Sequence, residues 1–471
     1  MHGEPPAPRP RLGRHAIVIG GSVAGLVAAR ILADHFAEVT VIERDPRPLG
    51  PEPRKGAPQM RHVHALFFSA SKALEELFPG FGAGVRAAGA VVSDFGNAYG
   101  VYQYGAWKPR FNAGFDVITC SRSLIEWHIR QRVEALPNVK IRYEHSAEDL
   151  IASPDRRSVT GVRIRSPAAE EQLCAELVLD AAGRGSRVPR WLNALGYGPP
   201  QEQAVGIDLA YVSQLFEPSV DAQRDWEGLV VTSRAPGRRG AFLLPVEGRR
   251  WLVSMTGLFG DHCPSDAEGF LAFARSLPVP DVYEALKGAT PLCAPIRHKI
   301  PSSRWFHYEQ MERLPDGLLM LGDSVCALNP VYGQGITVAI QCGRELATAL
   351  LERNRGTGDL RGLPRAMQKQ FAKIIRPAWL LSTTLDLRYP EATGKRSPGI
   401  FAVQWLLATF MDMTTINEQA CRLLFDVMHA RRGPEALLQP DMLFSFLTYC
   451  ARSPFVPLAA RIRQGCIPRA V

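Results

Sequence analysis

Glycines at positions 20, 21 and 25 sit between an apolar run and an Ala/Leu-rich segment, a spacing that lets backbone amides come up against a phosphate. The stretch 16–26, AIVIGGSVAGL, reads as a strand, a tight turn and the start of a helix whose unpaired N–H groups and partial positive charge face the ligand. Ser22 stands where a second glycine is usual, and Ala24 keeps the turn small. Glu43, at the end of the next apolar run, is placed to accept hydrogen bonds from an adenosine ribose, and its charge disfavours a 2′-phosphate. The turn therefore suits FAD or NAD rather than NADP.

A second motif separates those two. Residues 318–338 read LLMLGDSVCALNPVYGQGITV: an apolar strand ends at Asp323, which can reach a ribityl hydroxyl. Pro330 forces a turn, and Gly333, Gln334 and Gly335 open a helix whose amides can point at an anionic ring. Reduced flavin is negative near N1 and the C2 carbonyl, so a helix N-terminus there favours it. The pair of motifs points to one FAD.

The elements that must position these residues follow from patterning. A βα opening (helix over 22–36, strand over 39–42) leads to helical residues 60–90 and strand-like residues 91–119. A helix over 121–136 with Ser121 as N-cap precedes strands over 139–143 and 158–165. Strand patterns at 241–245 and 251–255 and a helical segment at 267–276 mark an inserted sheet, and a helix over 336–351 follows the second motif. The expected fold class is α/β, a Rossmann-type FAD-binding domain with an inserted β-sheet substrate domain and a helical C-terminal region. Its expected divisions are a disordered tail over 1–14, FAD-binding segments over 15–90, 120–200 and 301–355, substrate-domain segments over 91–119 and 201–300, and helices over 356–471.

The chain of 471 residues, 46% hydrophobic, can bury a large core. A net charge of +9 is spread out, without a basic stripe interleaved with aromatics, which argues against nucleic acid and for a field that draws in anionic cofactors. Nine cysteines with no Cys-x-x-Cys pair suit free thiols, and no metal is expected. With no long apolar run and no secretory leader, the expected location is the cytoplasm.

The motifs resemble the flavin fingerprints of the para-hydroxybenzoate hydroxylase fold, the single-component FAD monooxygenases. A third fingerprint, 179–187 LDAAGRGSR, departs from that pattern at Ala182, where an aspartate is usual, a departure shared with flavin halogenases and geranylgeranyl-type reductases. A narrower resemblance, carried by 54–64 RKGAPQMRHVH, LPVEGRRWLVSM and GDSVCALNPVYGQG over about residues 15–350, is to the bacterial polyether epoxidases acting on monensin and lasalocid precursors.

The resemblance implies an enzyme that uses FAD, an electron donor (NADPH, NADH or a separate reductase) and dioxygen. It would insert one oxygen atom into a lipophilic substrate in secondary metabolism, as an alkene epoxide or a ring hydroxyl. The alternative is an alkene reductase. By resemblance Arg122 lies near the FAD pyrophosphate, and Arg44 and Arg54 join the candidate cofactor residues. His62 and His64 read as structural or flavin-adjacent, and Trp107 and Arg110 as cavity lining or core. For 400–413 a core-packing helix is favoured over a greasy lid or a one-leaflet membrane contact.

Overall fold

The computed structural model describes residues 11–219 and 224–452. Strand β1 (Gly13–Ile19) is rich in β-branched residues and fully buried from Ala16 onward, as a strand covered on both faces must be. Helix α1 (Val23–Ala33) carries the chain over to β2 (Phe36–Ile42), which runs parallel to β1 with Ala16 opposite Val39 and Ile19 opposite Ile42. The helix stops short of its expected end because Phe36 is drawn into the sheet with no exposed surface. The first strand begins at Gly13, inside the stretch expected as a tail; residues 1–10 of that stretch lie outside the described residues.

The parallel sheet has five strands in the order Leu318–Met320, Leu177–Asp180, β1, β2, Val139–Arg142. Its outermost strand, Leu318–Met320, comes late in the chain and lies two strands from β1, and because all are parallel the two motifs, distant in sequence, follow strand ends that point the same way. Helix α2 (Arg122–Glu134) packs against α1, and the Ser121 hydroxyl caps it by accepting from the Leu124 N–H at 3.1 Å.

The second sheet has nine strands, almost all antiparallel. Its centre is the long strand Gln201–Glu217, held between Ile296–His307 and Arg250–Leu258. One face buries Trp251, Val253 and Met255 against Phe270 and Phe273 of the helix Ala267–Arg275. The other face carries Tyr211, Phe242 and His298 toward the flavin-motif side. Of the strands expected over 91–119, Tyr99–Gln103 and Ala106–Trp107 join this sheet. Val91–Asp94 and Asp116–Thr119 instead form a separate three-stranded sheet with Ala65–Leu66.

The remainder is helical: α3 (Gly335–Arg355), α4 (Leu363–Asp386), α5 (Ile400–Met413), α6 (Glu418–Met428) and α7 (Pro440–Arg452). The expectation that α5 packs into the core needs correcting. Ile400, Phe410 and Met411 are buried, but Phe401, Trp405 and Leu406 lie on the surface. The helix is apolar nearly all round, and a surface helix has only one face to give the core.

Candidate functional site

The two glycine-bearing turns open onto one cavity of about 790 Å³ between the sheets. Every residue expected to hold the cofactor lines it: Gly20, Gly21, Ser22, Ala24, Glu43, Arg44, Arg54, Arg122, Asp323, Pro330, Gly333, Gln334 and Gly335, with the single exception of Gly25, which packs behind the turn. Gly20 has φ +99°, and a Cβ there would meet the Ala181 carbonyl oxygen at 2.6 Å. A Cβ on Gly25 would stand 1.8 Å from the Gly20 carbonyl oxygen, so this glycine lets α1 lie against its own turn.

Ser22, the N-cap of α1, does not cap the helix with its side chain. Its hydroxyl instead donates to Glu126 (2.7 Å) and accepts from Arg122 (3.1 Å). The first-turn amides of α1 are left to the cavity. Arg122 is 4% exposed, and its Nη1 has no partner among the described residues. A buried guanidinium nitrogen without an acceptor, beside open amides, fits an anionic group such as a pyrophosphate.

Glu43 is buried at the end of β2. It accepts from the Gly21 N–H (3.1 Å) and the Asp45 N–H (2.9 Å), and it pairs with Arg54 at 3.0 Å. A carboxylate has lone pairs to spare beyond these, so ribose hydroxyls remain acceptable donors. Arg54 edges the cavity, but its guanidinium is committed to Glu126 (2.6 Å), Asp45 (2.7 Å) and Glu43. Arg44 donates to the Gly56 carbonyl at 3.0 Å from an exposed position.

Glu126 is the residue that sequence reasoning missed. It is 1% exposed and holds Arg54, Arg122 (3.5 Å) and Arg130 (2.9 Å) together. Burial works against its charge, but the three guanidinium groups outweigh it and hold its pKa below the usual range. The signal was present as arginines four residues either side of it on α2, an i, i+4 arrangement.

At the second turn, Asp323 projects into the cavity, and enclosure by protein raises its pKa against the opposing pull of Arg184, Arg122 and Arg304. Gly333 takes φ +68°, and Gln334 then begins α3, whose first amides face the cavity. This turn is braced from α4: Asn329 Nδ2 and the Tyr332 hydroxyl both donate to Asp386 Oδ1, at 2.9 and 2.8 Å. Asp386 Oδ2 is buried without a partner among the described residues, and burial pushes the acid up to about 7.

A raised acid favours the folded state while protonated. The stability it supports is full below the unfolded carboxylate value and lost as pH rises through about 7. Asp386→Asn is therefore expected to flatten the fall in stability between about pH 4 and pH 7. Denaturant midpoints across that range check it, and a parallel decline in both proteins would show that the acid does not titrate there.

His62 and His64 lie at the cavity, and burial depresses them to about 3 and about 4, so both are neutral near pH 7. Ser254 accepts from the Val63 N–H (3.0 Å) and meets Ser213 (2.5 Å), which meets His62 Nδ1 (2.7 Å). The ring is thus tied to the sheet through two serine hydroxyls, while His62 Nε2 is buried without a partner among the described residues. Among the described residues no cluster of metal-ligating side chains occurs. Trp107 is fully buried in the core behind the sheet, and Arg110 bonds the Asn97 carbonyl and Asp225, so neither lines the cavity. Cys326 is buried, and burial raises its thiol far above the reactive range.

The far end of the cavity is walled by Phe242, Leu244 and Leu258 of the large sheet and by Leu385, Leu407 and Phe410 of α4 and α5. Sequence patterning offered such a place only to 400–413, as the lid less favoured than a core-packing helix, and nothing in it tied α4 to the site.

A curated relative, Protein Rv3254 of Mycobacterium tuberculosis, is 34% identical over 398 residues, 82% of this chain and 82% of its own. The chain belongs to the Rv3254 family. A family profile described as pyridine nucleotide-disulphide oxidoreductase matches residues 15–63 of this Rv3254-family chain, the span of the first turn and Glu43. Among solved structures, p-nitrophenol 4-monooxygenase PnpA from Pseudomonas putida superposes with TM-score 0.63 at 17% identity, over 89% of this chain and 99% of its own. The flavin-dependent brominase Bmp2 does so with TM-score 0.64 at 13% identity, over 94% and 100%. The Rv3254-family fold is thus the one used by flavin-dependent monooxygenases and halogenases.

Proposed function

We propose that this protein is an FAD-dependent monooxygenase that inserts one atom of dioxygen into a lipophilic organic substrate, as an alkene epoxide or a hydroxyl. The observation that carries this reading is the continuity of the cavity. It runs from two glycine-opened helix N-termini, past Pro330, into an apolar chamber between the large sheet and α4–α5. FAD, when bound, supplies a ring that accepts two electrons from NADPH, NADH or a separate reductase and passes them to dioxygen.

The chain's own residues do the rest. Arg122 and the α1 amides would hold the pyrophosphate, Glu43 the adenosine ribose and Asp323 the ribityl chain. The N-terminus of α3 would favour negative charge at the ring's pyrimidine edge. His62, neutral near pH 7 and with its Nε2 unpartnered among the described residues, would offer one hydrogen bond on the sheet side of the site. Phe242, Leu258 and Phe410 exclude water and orient an apolar substrate.

Turnover of the FAD-loaded protein with candidate polyenes or phenols under ¹⁸O-labelled dioxygen is expected to give products carrying one labelled oxygen. Products that lack the label, or that gain two hydrogens under argon, would refute oxygen transfer and assign alkene reduction instead.

A further inference from the structure

Twelve large hydrophobic residues are exposed among the described residues, and ten of them fall between positions 380 and 447. They gather on the outside of the C-terminal helices: Phe401, Trp405 and Leu406 on α5, Phe444 and Leu447 on α7. Trp405 meets Phe446 edge-on at 6.4 Å, which joins the two helices into one surface. A monomer's exposed apolar residues are ordinarily scattered, so a contiguous patch marks a contact.

The same elements carry apolar residues inward. Leu407, Phe410 and Met411 of α5 line the cavity from behind Trp405 and Leu406, and Leu381 and Leu385 of α4 line it from behind Leu380. This wall is apolar on both sides and one helix thick.

The neighbouring surface is basic. Arg365, Lys369, Lys373 and Arg376 recur every three or four residues along one exposed face of α4, a face that Leu380 continues toward α5. No acidic side chain pairs with any of the four among the described residues. Lys395 and Arg396 add two exposed cations just before α5, and 400–411 carries no charge at all. Like charges in this spacing repel one another, which an opposing anionic surface would relieve.

We propose that this face seats the protein on an anionic phospholipid bilayer. Trp405, Phe401, Phe444 and Leu447 enter one leaflet, and the α4 stripe meets the headgroups. No helix of the described residues is long and apolar enough to cross a membrane, so the contact is with one leaflet. A second copy of the chain fits less well, because a two-fold contact would turn the same basic border against itself. The wall shared with the cavity gives the contact a purpose: a lipophilic molecule dissolved in the leaflet lies one helix away from the chamber. The contact itself stands apart from the oxygen-transfer reading.

Flotation of the full chain with vesicles tests it without turnover. Binding to mixed phosphatidylcholine–phosphatidylglycerol vesicles is expected to exceed binding to pure phosphatidylcholine by about tenfold or more and to fall as salt is added. Lys369→Glu with Lys373→Glu should remove the preference for phosphatidylglycerol. Trp405→Ser with Phe444→Ser should remove most binding to either vesicle, with far-ultraviolet circular dichroism unchanged. Equal or negligible binding of the parent protein to both vesicles overturns the proposal. So does a concentration-dependent dimer that Trp405→Ser dissociates in a protein that ignores vesicles.

Discussion

Gly25→Ala is expected to yield protein that purifies colourless, with affinity for FAD lowered at least about a hundredfold, or roughly 2.7 kcal/mol. Helix propensity alone points the other way, since alanine within a helix gains up to about 1 kcal/mol over glycine. The clash decides the sign. The new methyl would lie 1.8 Å from the Gly20 carbonyl oxygen and 3.3 Å from Val18 Cγ1, and the first obstacle is backbone that cannot rotate away. Relief requires α1 to slide from the turn, and its first amides would leave the place where they converge with Arg122. Fluorescence titration of FAD into the apoprotein measures the loss, with circular dichroism to establish that the fold survives. A yellow variant with parental affinity would refute the assignment of this turn to the cofactor.

Glu126→Gln should lower stability by about 3 kcal/mol, at the low end of what removing one member of a buried charge network costs. The low end applies because Glu43 and Asp45 still pair with Arg54. Arg122 and Arg130 have no such reserve: their nearest carboxylate is Glu126 itself, and Arg130 otherwise bonds the Gly21 carbonyl and the Tyr143 hydroxyl. Burial and the carboxylates act unequally on the arginines. Arg54, opposed by burial but facing three carboxylates, has its pKa raised, while Arg122, more deeply enclosed and repelled by Arg54 and Arg130, has its pKa lowered despite Glu126 and Asp323.

The pH dependence has a definite sign. The carboxyl of Glu126 is held below its ordinary value, so the stability it contributes is present above the unfolded carboxylate range, near about 4.3, and is lost as pH falls through its lower folded value. The parent should therefore lose stability in acid along a slope that the glutamine variant lacks. Denaturant titrations at neutral and acidic pH decide the matter, and equal midpoints for the two proteins at neutral pH would show that the cluster is not held by this residue.

Elements whose signal is local were legible in the sequence. The Ser121 cap, the turn at Gly20–Gly25 and the start of α3 at Gly335 rest on neighbours a few residues away, and the structure has them within a residue or two. Misjudged features depended on distant partners. The helix expected through residue 36 gave way because Phe36 gains more by entering the sheet than by extending α1. Trp107, an aromatic on a strand, could equally face the cavity or the core, since a one-residue difference in register exchanges the two. Glu126 was not singled out, because its role depends on the distant segment carrying Arg54 folding against it.

By itself, then, the amino-acid order determined the two glycine turns, the helix starts behind them and the acid at a strand end, because these are properties of short segments. Only the tertiary structure decided what else meets at the cavity they open onto. Asp386, His298, the walls of the chamber and the two-faced helix α5 come from segments more than two hundred residues beyond the first glycine turn in the order of the chain. Their adjacency follows from packing the sheets and helices together, which no local pattern encodes.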